Sequence, residues 1–134
     1  ELCPRVSAIA MRKLDEHRRA GHTIIFVTGS LDFLIAPVAD ALQVDRCFAS
    51  RLEQQQGLYT GLLVPPLPYG AGKRQLIDRL TQDLTLDLSQ CYAYGDSPGD
   101  VDLLRAVGHP TVVNPIRGMD TIARRHNWPV VRWP

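Results

Sequence analysis

Cys91-Tyr92-Ala93-Tyr94-Gly95-Asp96-Ser97-Pro98-Gly99-Asp100 is the stretch that decides the fold of this chain. The first four residues, with two aromatics among small apolar neighbours, read as a short strand. Ser97 at an N-cap, Pro98 at the first helical position and a carboxylate three residues after the cap read as the start of a helix. That helix is expected from Pro98 to Val107, closed by Gly108. Downstream, Thr111-Val112-Val113 reads as a strand, Gly118 to Asn127 as a helix, and Val130 to Arg132 as a last short strand. Strands alternating with helices at this spacing imply a parallel sheet with helices on both faces.

The same pattern extends upstream. Pro4 to Ala20 carries Val6, Ile9, Ala10, Leu14 and His17 at spacings of three and four, an amphipathic helix stopped by Gly21. Thr23 to Val27 is a β-branched apolar run of the kind covered on both faces in a parallel sheet. It ends at Thr28-Gly29-Ser30, where Ser30 is placed to cap a helix from Leu31 to Leu42. Between Asp45 and Leu63 the reading changes to an antiparallel ribbon with its turn near Gly57. Pro65-Pro66-Leu67-Pro68 is a stiff connection, and a helix follows from about Gly72 to Gln82. The expected class is therefore α/β, a three-layer α/β/α parallel sheet with an antiparallel β-ribbon insertion. At 134 residues it is expected to be a single domain over residues 1–134.

Composition excludes several classes of partner. Fifteen Lys and Arg against fourteen Asp and Glu leave a formal charge of +1, which gives no electrostatic attraction to nucleic acid or an anionic membrane. No stretch is long enough to span a bilayer, and no signal peptide is visible. Cys3, Cys47 and Cys91 are odd in number and far apart, without CxxC or Cys/His metal spacing. Cys47 and Cys91 lie in apolar runs and are read as small buried hydrophobes, which suits a reducing cytoplasm.

In an open parallel sheet, ligands bind beyond the carboxyl ends of the strands. Thr28-Gly29-Ser30 sits at one such end. A hydroxyl, a glycine that lets backbone approach closely and free helix N–H groups suit a phosphate, although a plain capped turn explains the same residues. Gly95 to Asp100 sits at another. The capping box accounts for Ser97, Pro98 and part of Asp100, but leaves Asp96 facing the crevice. Two carboxylates so close repel unless a cation neutralises them, and Mg²⁺ is usually held by one or two carboxylates with phosphate and water. Gly70-Ala71-Gly72-Lys73 resembles the tail of a P-loop, but Leu67 stands where the loop needs Gly and Arg74 where it needs Ser or Thr. A lysine in a first helical turn opposes the helix dipole, a cost that a nearby anion reverses.

Thr28-Gly29-Ser30, then Lys73, then Tyr94-Gly95-Asp96-Ser97-x-x-Asp100 resembles the second, third and fourth motifs of the haloacid dehalogenase superfamily, in that order. Arg51-Leu52-Glu53, Gly57-x-Tyr59-Thr60-Gly61 and Val113-Asn114-Pro115 resemble its phosphoserine-phosphatase-like branch, subfamily IB. The resemblance implies a Rossmann-like core and a Mg²⁺-dependent phosphatase acting on a small phosphorylated metabolite through an aspartyl-phosphate intermediate. It implies that Thr28, with Gly29 and Ser30, binds the phosphoryl group and that Lys73 balances charge between phosphate and carboxylates. It implies too that Asp96 ligates the metal, and that Asp100 supports the metal's water shell or Lys73.

Two departures accompany the resemblance. Gly99 stands where many relatives carry a polar residue. The family's first motif, Asp-x-Asp-x-Thr, which supplies the nucleophile and the general acid, has no match in the 134 residues. The chain opens on Glu1, as if just after the helical cap that relatives insert between their first and second motifs. The expectation is a fragment inactive alone. An unpaired sheet edge would make a homodimer or an N-terminal complementing segment its partner. The alternative reading is a non-catalytic phosphate- or nucleotide-binding α/β module.

Overall fold

The computed structural model describes residues 6–134. Cys3 and the expected helix start at Pro4 lie outside the described residues. The chain divides into two compact units, the first running to Pro68 and the second spanning Tyr69–Trp133. The boundary falls at the proline-rich connection.

In the first unit, α1 (Ala8–Arg19) is followed by β1 (Ile25–Leu31), α2 (Asp32–Ala41), β2 (Arg46–Ser50) and the hairpin β3 (Leu52–Gln55) and β4 (Leu58–Leu63). Gly21 adopts φ 77°, a left-handed conformation that ends the helical path after Arg19. β1 and β2 pair in parallel, Ile25 opposite Arg46 and Val27 opposite Phe48. The Asp45 carboxylate accepts the Ile24 N–H at 2.6 Å, which fastens the start of that pairing. Ile24, Ala39 and Leu42 are buried.

The second unit continues with α3 (Ala71–Leu84), β5 (Tyr92–Gly95), α4 (Val101–Ala106), β6 (His109–Val113), α5 (Met119–His126) and β7 (Val130–Val131). β5, β6 and β7 form one parallel sheet in that order. Its core is Ala93, Leu104, Val112, Met119 and Ala123, with Val107 and Trp128 packed against it. Leu76, Ile77 and Leu80 recur at spacings of one, three and four along α3 and are buried. The parallel strand-helix units expected from the sequence are thus present. Among the described residues, no helix is long and apolar enough to cross a membrane.

Several local expectations are corrected. β1 runs through Thr28-Gly29-Ser30 to Leu31, so Ser30 lies in a strand and does not cap α2. The Phe33 N–H, in the first turn of α2, is taken by the Asp32 carboxylate at 2.7 Å instead. The antiparallel ribbon is shorter than read. Arg46–Ser50 belongs to the parallel pair with β1, and only β3 and β4 form the hairpin, turning at Gln56-Gly57. Propensity cannot separate these two uses of an apolar strand, because the partner decides the direction.

The helix expected from Pro98 begins as a 3-10 turn, Pro98–Asp100, before α4. Gly108 follows it for lack of room, since a Cβ there would lie 1.8 Å from the Ser89 carbonyl oxygen. β6 includes Pro110, whose missing N–H is tolerated because β7 pairs only with Val112 and Val113. Cys47 is exposed and Cys91 half-buried, so neither is the core hydrophobe expected. Partial burial still raises both thiol pKa values, with Asp87 adding to the rise at Cys91.

Candidate active site

Lys73 enters in the first turn of α3, behind Gly70, whose φ of 55° lets the chain turn into the helix. Its side chain is buried rather than solvated, with 7% of the residue exposed. The ammonium donates to Asp100 Oδ1, 27 residues away and equally buried. The other carboxylate oxygen, Oδ2, accepts from the backbone N–H groups of Asp96 at 3.0 Å and Ser97 at 3.3 Å, and from the Ser97 hydroxyl at 3.4 Å. Burial pushes the Asp100 carboxyl up, but the Lys73 ammonium and the two backbone N–H donors outweigh it. The net result lies below the ordinary value.

This arrangement explains Gly95. Its Cβ, if present, would lie 2.7 Å from Asp100 Cβ and 2.8 Å from Oδ2. The glycine is there for space, not for backbone freedom. Gly95→Ala should therefore push Asp100 off its donors and lower the unfolding free energy by about 1–3 kcal/mol, the usual cost of overpacking. Urea unfolding checks this, and an unchanged midpoint would mean that Asp100 has room to spare.

Asp96 stands at the carboxyl end of β5 with its side chain exposed. Among the described residues, no hydrogen bond or ion pair engages its carboxylate. Its backbone is held, since the Asp96 carbonyl accepts the Ile116 N–H at 2.9 Å. The segment after β6 is fastened in turn. Asn114 exchanges two hydrogen bonds with the Trp133 backbone, at 2.9 and 2.8 Å, and the Trp133 ring lies 6.0 Å from that of Tyr94. The sequence reading did not single out Asn114 for this role. A φ of 45° at a non-glycine residue marks it only once the structure is known.

Thr28, Gly29 and Ser30 lie in the first unit, apart from this cluster in the chain's division. Thr28 is half-buried and its hydroxyl oxygen accepts the Ser30 N–H at 3.1 Å. The structure thus joins Lys73, Asp96 and Asp100 within one unit and sets Thr28-Gly29-Ser30 on a strand of the other. Asp100-Val101-Asp102 is the one Asp-x-Asp in the sequence. It is no match to the missing motif, because Leu104 replaces the threonine and Asp100 is committed to Lys73. No group of three or more His, Cys, Asp or Glu side chains suited to a metal exists among the described residues.

A family model described as haloacid dehalogenase-like hydrolase matches residues 2–105. A Mycobacterium tuberculosis protein named probable phosphatase is 38% identical over 128 residues, which cover 96% of this chain and 44% of that protein. A histidinol-phosphatase of Neisseria meningitidis serogroup C is 30% identical over 139 residues, covering 98% of this chain and 61% of that protein. The crystal structure of a protein of unknown function from Bordetella pertussis Tohama I matches with TM-score 0.83 and 31% identity, covering 96% of this chain and 59% of that one. The chain spans about half the length of the curated relatives it matches.

Proposed function

Because the chain belongs to the haloacid dehalogenase-like hydrolase family, we propose that its polar strand ends serve the hydrolysis of small phosphomonoesters. The observation that carries this reading is the triad within the second unit. A buried lysine is neutralised by one aspartate, Asp100, beside a second aspartate, Asp96, left exposed and unpartnered at a strand end. A fold-stabilising ion pair alone would not need Asp96. The phosphatase names of the mycobacterial and neisserial relatives support the same reaction class.

The roles follow from the donors available. In the first unit the Thr28 hydroxyl, with Gly29 and Ser30, is the phosphate-binding element of this reading; in the second unit Lys73 offsets carboxylate charge. Asp100 holds the lysine and the turn at Asp96. Asp96 offers one hard oxygen donor, which fits Mg²⁺ held mainly by water and substrate phosphate. Bound there, Mg²⁺ would neutralise phosphoryl oxygen charge. The covalent step requires a nucleophilic carboxylate in an Asp-x-Asp-x-Thr setting, which these 134 residues do not contain.

A titration tests the metal assignment. Mg²⁺ added to the isotope-labelled chain should shift the amide signals of Asp96 and Ser97, with an affinity on the order of millimolar because one carboxylate leaves most of the octahedron to water. Asp96→Asn should abolish these shifts. Binding that survives the substitution would remove Asp96 from the proposed site.

A further inference from the structure

Among the described residues of the first unit, Ser50 is the most deeply buried polar residue, 2% exposed, and it lies 21 residues from the motif it touches. Along the parallel pair of β1 and β2, Val27 stands opposite Phe48, and the next partners are Leu31 and Ser50. Four steps on β1 are matched by two on β2. The two surplus residues fall within Thr28-Gly29-Ser30, which therefore bulges out of the ladder and loses its regular backbone partners. Something else must fix its peptide planes.

Three groups do so in series. The Ser50 hydroxyl donates to the Gly29 carbonyl at 2.8 Å. The N–H of the next residue, Ser30, belongs to the same planar peptide unit and points the opposite way. It donates to the Thr28 hydroxyl oxygen at 3.1 Å. The Thr28 oxygen is thus engaged as an acceptor, which leaves its own O–H as the free end of the chain. Hydrogen bonds aligned head to tail polarise one another, so each donor in such a series is stronger than it would be alone.

We propose that Ser50 is a positioning residue that sets the peptide plane of Gly29 and Ser30 and, through it, presents the Thr28 O–H as a donor to a phosphate oxygen. The inference deepens the proposed function and rests on its reading of Thr28-Gly29-Ser30 as a phosphate cradle. Ser50 itself does not touch the phosphate. A buried serine that ends the run Cys47-Phe48-Ala49 needs a partner to be tolerated, and the Gly29 carbonyl is that partner.

The test uses inorganic phosphate and the labelled chain, with Ser50→Ala, Ser50→Thr and Thr28→Val. Phosphate should shift the amide signals of residues 28–31 in the unsubstituted chain. Ser50→Ala should weaken its affinity about fivefold, the scale of one net hydrogen bond. Before any phosphate is added, it should also move the Ser30 amide proton toward the value of a weaker hydrogen bond. Ser50→Thr, which keeps the hydroxyl, should restore both; urea unfolding of each variant separates these readouts from a general loss of stability.

If Ser50→Ala leaves the Ser30 amide proton and the affinity unchanged while Thr28→Val weakens binding, the relay is wrong and the cradle reading stands. If phosphate perturbs none of residues 28–31 in the unsubstituted chain, the cradle reading itself is overturned, and the ligand of this inference with it.

Discussion

Lys73→Met should destabilise the Tyr69–Trp133 unit by about 3–5 kcal/mol, the cost of leaving one member of a buried ion pair alone. Lys73 and Asp100 are each 7% exposed, so neither can recover its hydration by a small movement. The loss is a large share of the 5–15 kcal/mol typical of a folded domain. Asp100→Ala should cost a similar amount, with the Lys73 ammonium now stranded. The double substitution Lys73→Met with Asp100→Leu should recover much of the loss, because no charge remains buried. Both tryptophans, Trp128 and Trp133, lie in this unit and report its unfolding in urea by fluorescence. Single variants as stable as the parent would mean that water reaches the pair.

The same pair predicts an acid dependence. The Asp100 carboxyl titrates below its ordinary value of 3.8 in the folded chain, the Lys73 and backbone donors overcoming the upward push of burial. A carboxylate with a depressed folded value adds stability that is fully present above the unfolded value and disappears as pH falls through the folded one. The contribution is therefore constant at neutral pH and is lost below the ordinary carboxylate range. In Asp100→Asn that part of the acid slope should be gone.

The strand-helix alternation of the second unit is legible in the sequence because each strand is a short apolar run punctuated by Gly, Pro or a capping serine. Ser97, Pro98 and Asp100 announce a helix start by local chemistry alone. What local chemistry does not show is that the Asp100 carboxylate also faces a lysine 27 residues upstream, in the first turn of another helix. Lys73 could be suspected only because a cation there opposes the helix dipole. The first unit was less legible. β2 reads equally well as half of a hairpin or as a parallel neighbour of β1, and the choice rests on long-range pairing. Ser30 looks like a cap because it is a serine before an apolar run, yet the strand continues past it to Leu31. Ser50 gives one faint signal, a small polar residue ending the run Cys47-Phe48-Ala49. Its meaning depends on a bulge that no sequence pattern announces. The cysteines misled for a related reason, since an apolar neighbourhood in sequence does not guarantee cover in space.

The largest effect concerns turnover. The isolated 134 residues should show no measurable hydrolysis of an aryl phosphate with Mg²⁺ present, because none of their carboxylates stands in an Asp-x-Asp-x-Thr setting. Electrostatic stabilisation by Lys73 and a weakly held cation lowers a barrier only when a nucleophile is in place. Joining the chain, by fusion or co-expression, to a segment that carries the family's Asp-x-Asp-x-Thr strand should restore Mg²⁺-dependent hydrolysis. In the restored protein, Asp96→Asn should lower the rate by about 10²–10³-fold, the scale of removing one preorganised charge-stabilising group. Lys73→Ala should do the same, and its fall should exceed what its loss of stability explains when folded protein is compared with folded protein. Thr28→Val, which removes one donor and no charge, should cost less than either. The first of these measurements is the sharpest. Enzymatic turnover by the isolated 134 residues would place a nucleophile among the carboxylates described, and Asp96, exposed and unpartnered at the end of β5, would be the first to suspect.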